Sequence, residues 1–423
     1  MRPLYNFLNH VTYAHLQLAQ EFSKKLKLFV QGRKDSFSLL QKAVSSDDRT
    51  IWFHCASLGE YEQGVPIIEE VRKMFPNHKI VLTFFSPSGF EVKKDSAIAD
   101  VVVYLPFDTQ GNARRFLELV HPALAIFVKY EFWPNYLFEL NTRNIPTLLI
   151  SGLFRKKQIF FKPYGGFMRK ALRTFDHFFV QDQMSKSLLE ELKLENCTIS
   201  GDTRFDRVSH QIEMDNSLDF MEAFKGNALC IVCGSTWPED EALLLEHINS
   251  SEVHIKYVIA PHKIDSDKIE SFRSKLTKTS ILFSEKGSED LPEAGVLIVD
   301  TIGYLTRIYS YADIAYVGGA AGTTGLHNIL EPATFGVPII IGENFNDFPE
   351  AKRLQQLAGL FSVGTPEEYT ALTQKLCSDK NFRSKTGMIS GHFVNSNTGA
   401  TRIVMDYLQE SYRDRLIQIP SKR

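Results

Sequence analysis

From residue 50 onward, short apolar runs alternate with stretches whose apolar residues recur at helical spacing. Residues 51–56, 79–85, 101–105, 123–128, 147–150 and 177–180 read as strands, and a helix runs roughly over 61–74. The pattern weakens across 207–225, a polar stretch rich in acids and Asn, and then restarts. Residues 229–232, 256–260, 296–299, 314–317 and 338–341 read as a second series of strands, again separated by helices. Near-continuous apolar strands between helices predict parallel sheets covered on both faces. Two such series within 423 residues predict an α/β protein of two Rossmann-like, doubly wound domains facing a central cleft. Ligands of such sheets bind beyond the carboxyl ends of the strands, so functional residues are expected just after the runs named above.

The first 34 residues follow a different pattern. Leu4, Leu8, Val11, His15, Leu18 and Phe22 fall on one helical stripe, and Lys24, Lys25, Lys27, Arg33 and Lys34 follow it. No stretch reaches the roughly 18 apolar residues of a spanning helix. Asn6, Asn9, His10, His15 and Gln17 interrupt any signal-peptide core. An apolar stripe with a basic flank suits either an interfacial membrane helix or a helix packed on its own protein.

Composition narrows the class. Hydrophobic residues make up 43% and charged residues 23%, which excludes global disorder. The formal charge of -2 argues against a nucleic-acid partner, which usually meets a basic excess. Five cysteines, an odd number in a long chain, do not form a disulfide framework. Cys230 and Cys233 have redox-like spacing but lie in an apolar run, which predicts inert core thiols in a reducing compartment.

Four turns carry candidate chemistry. After the first strand, Ser57-Leu-Gly59-Glu60 fits a capping box. It also fits a general base, Glu60, beside a glycine that admits a substrate. After 123–128 come Glu131 and Trp133. They suit a sugar face, or simply a helix start with Pro134 in its first turn. Gly234-Ser235-Thr236-Trp237-Pro238 offers amides to a phosphate, although Glu239, Asp240 and Glu241 would repel it unless they point away. Finally, Gly318-Gly319 and Gly325-Leu-His327-Asn328-Ile-Leu-Glu331 form a glycine-rich loop between a strand and a helix. Its amides are expected to close on a phosphate, with Glu331 about one turn into the helix and placed to hold ribose hydroxyls. His327 and Glu331 at i, i+4 lack the further ligands of a metal site.

Taken together, these motifs resemble the 3-deoxy-D-manno-octulosonic acid (Kdo) transferases over nearly the whole chain. The landmarks are 52–60, Glu131-Phe-Trp-Pro134, Ser151-Gly-Leu-Phe-Arg155, Gly201-Asp-Thr-Arg-Phe-Asp206, Gly234-Ser-Thr-Trp-Pro238, Ala260-Pro-His262 and Gly325-Leu-His-Asn-Ile-Leu-Glu-Pro332. The resemblance implies a GT-B architecture and a metal-independent, inverting transfer without a cofactor. It implies a membrane-associating segment over 1–34 and an acceptor-binding domain over 35–210. A donor-binding domain would cover 211–423, its last helix crossing back. The implied partners are CMP-Kdo, the lipid A precursor and the cytoplasmic face of the inner membrane, with the protein peripheral or monotopic. Glu60 would be the base. Ser57, Gly59, Glu131 and Trp133 would meet the acceptor. Arg204, Ser235, Thr236, Pro261, His262, Lys263, Gly318, Gly319, Gly325, Asn328 and Glu331 would meet the donor. The chain departs from the family at His262-Lys263, where many members have Arg-His, at Leu326, where many have Gly, and at Trp237, often His. The alternatives are a GT-B-like nucleotide-sugar epimerase and a non-catalytic binding protein for an anionic sugar.

Overall fold

The computed structural model describes residues 1–251, 255–287 and 290–417. It divides into two compact units, Met1–Arg207 with the chain from Thr398 onward, and Val208–Asn397.

In the first unit the strands are β1 (Thr50–Cys55), β2 (Lys79–Phe84), β3 (Val101–Tyr104), β4 (Pro122–Val128), β5 (Thr147–Gly152), β6 (His177–Val180) and β7 (Cys197–Ile199). All pair in parallel, in the order β3-β2-β1-β4-β5-β6-β7. The order reverses between β1 and β4, the switch point at which doubly wound sheets hold ligands. Alternation along β1 explains why both faces are covered: Trp52 enters one apolar cluster, and Ile51, Phe53 and Cys55 enter the other. The second cluster is completed by Val404, Leu408 and Leu416 of the C-terminal helix, Ala400–Ile417. Asp206 fastens that helix. Its carboxylate accepts from the amides of Gly399 (2.6 Å) and Thr401 (2.7 Å) and from the Thr401 hydroxyl (2.8 Å).

The second unit repeats the scheme with β8 (Leu229–Thr236), β9 (Ile255–Pro261), β10 (Ser280–Leu282), β11 (Val296–Ile298), β12 (Ile314–Val317), β13 (Ile339–Gly342) and β14 (Leu360–Val363). The parallel order is β10-β11-β9-β8-β12-β13-β14, which reverses between β8 and β12. Cys230 and Cys233 are fully buried in opposite clusters on the two faces of β8, so they cannot pair, and burial pushes the Cys230 thiol up to about 12.

Three strands escape the sequence pattern: β7, β10 and β14. All lie on a sheet edge, and two of them have only three residues, too few to show periodicity.

At the amino end, α1 (Arg2–Ala19) and α2 (Lys24–Gln31) precede α3 (Ser36–Ala43). The polar side of α1 faces its own protein. Arg2 Nε donates to Asn135 Oδ1 (3.0 Å), Tyr5 Oη to Asp108 Oδ2 (2.7 Å) and Asn9 Nδ2 to Asp108 O (2.8 Å). Leu4, Phe7, Leu8, Val11 and Leu18 are exposed on the other side. No residue of α1 is buried. No helix among the described residues is long and apolar enough to cross a membrane.

The basic flank needs a correction. Arg33 does not belong to it: the residue is buried, donates to Leu105 O (3.0 Å) and Phe29 O (2.6 Å), and stacks on Phe29 and Phe85. Burial lowers its pKa to about 10.

Candidate active site

The carboxyl ends of β1 and β4 bring two sequence-predicted turns side by side, since His54 and Phe127 are partners across the strands. Helix α4 (Leu58–Met74) begins directly after β1, which sets Glu60 in its first turn, half-exposed. The expected capping box does not form. Ser57 is the extended N-cap residue, yet its side chain caps no amide; its hydroxyl donates to Glu60 Oε2 instead. The carboxylate is thus held by a hydroxyl rather than spent on the helix end. Beside it, a Cβ at Gly59 would meet only Ser57 Oγ, at 3.8 Å. The fold leaves room for a side chain there, so the glycine answers no packing need.

Glu131 and Trp133 both turn inward. Pro134 opens the helix Pro134–Thr142 with Trp133 as its N-cap, as the helix-start reading expects. The Trp133 indole N–H lies 2.7 Å from Glu131 Oε2 and 2.9 Å from His54 Nε2. His54, fully buried, also meets Glu131 Oε2 at 2.9 Å and Thr83 Oγ1 at 2.8 Å through Nδ1. Glu131 is only 8% exposed. One of its oxygens is therefore engaged by the protein. Sequence reasoning missed His54 because a polar residue within an apolar strand gives no sign of its partner.

Arg204, a residue of the first unit, stands on the helix Thr203–Ser209 and forks onto Asp202, at 2.9 Å (Nε) and 2.8 Å (Nη2). Burial pushes the Asp202 carboxyl up, but Arg204 and Gln63 together bring it below its ordinary range.

In the second unit, the switch point between β8 and β12 is crowded. A Cβ at Gly318 would lie 2.4 Å from Ser235 O, and one at Gly319 (φ +97°) 2.1 Å from Gly325 O, so neither position accepts a side chain. Ser235 sits at an irregularity of β8 with φ +54°. Thr236 is buried and donates its hydroxyl to Glu241 Oε1 (3.0 Å), leaving chiefly backbone to offer.

The structure narrows two expectations about this loop. Its amides do not all await a phosphate: the buried Asp240 carboxylate accepts from Gly319 N (2.8 Å) and Ala321 N (3.3 Å), and also from Trp237 N (2.9 Å) and Tyr316 Oη (2.7 Å). The acids after Trp237 thus include the clamp that shapes the loop. Nor does Glu331 lie one turn into a helix. The helix spans only Leu330–Thr334, with Glu331 its second residue. Glu331 accepts from Asn328 Nδ2 (3.1 Å) and Thr306 Oγ1 (3.1 Å).

Pro261 ends β9 and delivers His262 and Lys263 to the same edge. Their rings and charges meet residues that sequence reasoning left outside the site. Trp237 stacks on His262 (4.9 Å between centroids), His262 stacks on His327 (4.2 Å), and Lys263 Nζ lies 4.9 Å from the Trp237 ring centre. Trp237 Nε1 donates to His327 Nε2 (3.0 Å). An indole only donates, so a neutral His327 carries its proton on Nδ1. Burial, then the neighbouring His262, lowers the His327 pKa to about 4. Among the described residues no group of three or more His, Cys, Asp or Glu side chains is placed to hold a metal.

Residues 30–207 match the family model described as 3-Deoxy-D-manno-octulosonic-acid transferase (kdotransferase). A 3-deoxy-D-manno-octulosonic acid transferase of Haemophilus influenzae is 26% identical over 403 residues, covering 92% of this chain and 93% of that one. One from Aquifex aeolicus is 28% identical over 356 residues, covering 81% and 91%. Among solved structures, the UDP-GlcNAc 2-epimerase of Neisseria meningitidis has a TM-score of 0.62 at 15% identity, covering 86% of this chain and all of that one. MurG of Acinetobacter baumannii has 0.55 at 12%, covering 86% and 99%. These last likenesses speak for the fold alone: two Rossmann-like α/β units of GT-B type. The family model thus lies on the first unit and the relatives align across both: in sequence the chain is similar to the 3-deoxy-D-manno-octulosonic acid transferases.

Proposed function

We propose that this enzyme transfers Kdo from CMP-Kdo to the 6'-hydroxyl of the lipid A precursor, with inversion at the anomeric carbon. The first unit takes the acceptor and the second the donor. The observation that carries the reading is the Glu60 carboxylate. It is half-exposed, held by the Ser57 hydroxyl, and sited just beyond β1 where the sheet order reverses.

In the step proposed, Glu60 accepts the proton of the acceptor hydroxyl. The acceptor oxygen forms a bond to the anomeric carbon. The bond from that carbon to the CMP phosphate breaks, and its electron pair leaves with CMP. Lys263, the Nδ1–H of His327 and loop amides not claimed by Asp240 meet the phosphate charge, so the step uses no metal. Asn328 and Glu331 hold the ribose. Gly59 lets the acceptor approach the backbone, while Glu131 and Trp133 shape the wall behind it.

The exposed apolar row of α1 supports a peripheral position on the membrane that carries the acceptor, the cytoplasmic face of the inner membrane.

The test is incubation with CMP-Kdo and tetraacylated lipid A precursor, read by product mass. Addition of Kdo is expected. Altered nucleotide-sugar without lipid product would reveal an epimerase, and binding without turnover a silent module. Glu60→Gln keeps the shape and removes the base, so its rate should fall by about 10²–10⁴. An unchanged rate removes Glu60 from the mechanism.

A further inference from the structure

A cavity of about 770 Å³ lies at the start of α1, and Glu60, Glu131 and Trp133 are not among the residues that line it. Arg2, Lys170, Asn141, Phe138, Phe167 and Tyr164 line it, and no acidic side chain does. The wall is built rather than loose. Arg169 donates to Phe160 O (2.9 Å), Lys162 O (2.8 Å) and Pro163 O (3.3 Å), which pins the turn that carries Tyr164. Tyr5 of α1 packs on Phe167, with centroids 5.3 Å apart.

The two cations of the cavity are differently placed. Arg2 Nε bonds Asn135 and the guanidinium lies over Phe138, 5.2 Å from its centroid, but Arg2 Nη2 is a buried donor with no acceptor. Lys170 is exposed. Met1, also in the lining, is 72% exposed and lies one helical turn before Leu4, the first residue of the outward apolar row.

Positive charge without a carboxylate calls for an anion. A buried guanidinium N–H suits phosphate oxygens, which accept from it in a fixed geometry. The aromatic lining and the adjoining apolar row call for something more than an inorganic ion. We propose that this cavity binds the phosphodiester headgroup of an anionic glycerophospholipid, with Arg2 and Lys170 on the phosphate, the rings against the glycerol region and the acyl chains running beside the exposed face of α1. The inference rests on the reading of α1 as an interfacial helix, and it adds a lipid site separate from that of the acceptor.

The test uses the whole chain and dihexanoyl-phosphatidylglycerol as dispersed single molecules, so that no surface potential contributes. Calorimetry should show one site. Lys170→Gln, a surface change that leaves the fold intact, should weaken it by roughly tenfold, the worth of one hydrogen bond to a charged group. Arg2→Gln should do at least as much. Lys24→Gln, on α2, should change nothing, and Glu60→Gln should bind normally, which separates this site from the transfer reaction. Equal affinity for dihexanoyl-phosphatidylcholine, or indifference to Lys170→Gln and Arg2→Gln, overturns the proposal. Glycerol phosphate binding as tightly as the lipid would make this a phosphate site and overturn the lipid assignment. Failure of the chain to bind lipid in any form would overturn both this site and the interfacial reading of α1.

Discussion

A carboxylate in the first turn of a helix ordinarily serves the helix, accepting from its orphan amides. Glu60 does not, because Ser57 turns its hydroxyl to the carboxylate instead of to the backbone. The sequence Ser57-x-x-Glu60 fits either arrangement, so only the rotamers in the folded chain separate a cap from a candidate base. The same holds at Trp237. Its place beside Pro238 was legible, but its N–H reaching across to His327, ninety positions later, was not. That bond carries a prediction. Trp237→Phe keeps the ring stack and removes the donor, so ¹⁵N spectra should show His327 shifting from the Nδ1–H tautomer toward a mixture. KM for CMP-Kdo should rise more than kcat falls. A His327 signal identical in both proteins would detach Trp237 from any positioning role.

At the scale of elements, α1 reverses the usual logic of amphipathic packing. It docks through Arg2, Tyr5, Asn6 and Asn9 and leaves its apolar stripe outside. The stripe was plain in the sequence. Which side it faced was not, because that depends on Asp108 and Asn135, more than 90 residues away. Replacing Leu4, Leu8 and Val11 by Ser should leave thermal stability near that of the unmodified chain, since all three are exposed, while abolishing sedimentation with liposomes. Undiminished sedimentation would place the membrane contact elsewhere. Removing the segment before Asp35 would be a poorer test, because Val30 and Arg33 are buried. The C-terminal helix is the opposite case, an element that buries Val404, Leu408, Tyr412 and Leu416 against the sheet's apolar cluster. Asp206→Ala strips the acceptor from two amides and a hydroxyl at its start. That should cost about 1–2 kcal/mol, the upper range for a helix cap, and lower the urea midpoint. An unmoved midpoint would mean that the apolar contacts hold the helix unaided.

Across the whole molecule, single buried groups, one in the first unit and two in the second, should respond to acid in opposite senses. In the first, burial raises the Asp108 carboxyl from 3.8 to about 6. Between those values the folded chain keeps a proton that the unfolded chain has lost, so this contribution to stability falls as pH rises from about 4 to about 6. In the second, burial lowers His247 and His327 from 6.5 to about 4. There the unfolded chain holds the extra protons, so stability rises with pH across that window and is lost as pH falls toward 4. Thermal unfolding from pH 4 to 7 should therefore show stability rising more steeply with pH in Asp108→Asn than in the parent, and less steeply in His247→Gln. Profiles parallel to the parent would show that neither group couples to folding.

The chain's own pattern determined the kind of fold, because buried parallel strands must be apolar throughout and the helices between them must be amphipathic. It determined where the candidate turns fall, because they lie at or just beyond the ends of strands. It also pointed to the family, because short motifs keep their order along the chain. Tertiary structure alone decided which polar groups are spent on the protein. Asp240 consumes the amides of Gly319 and Ala321, His54 engages Glu131, Asp206 secures the last helix, and Glu60 is left to its hydroxyl neighbour. Most of these pairings join residues far apart in sequence. A hydrogen bond depends on distance in space, and no local periodicity encodes that distance.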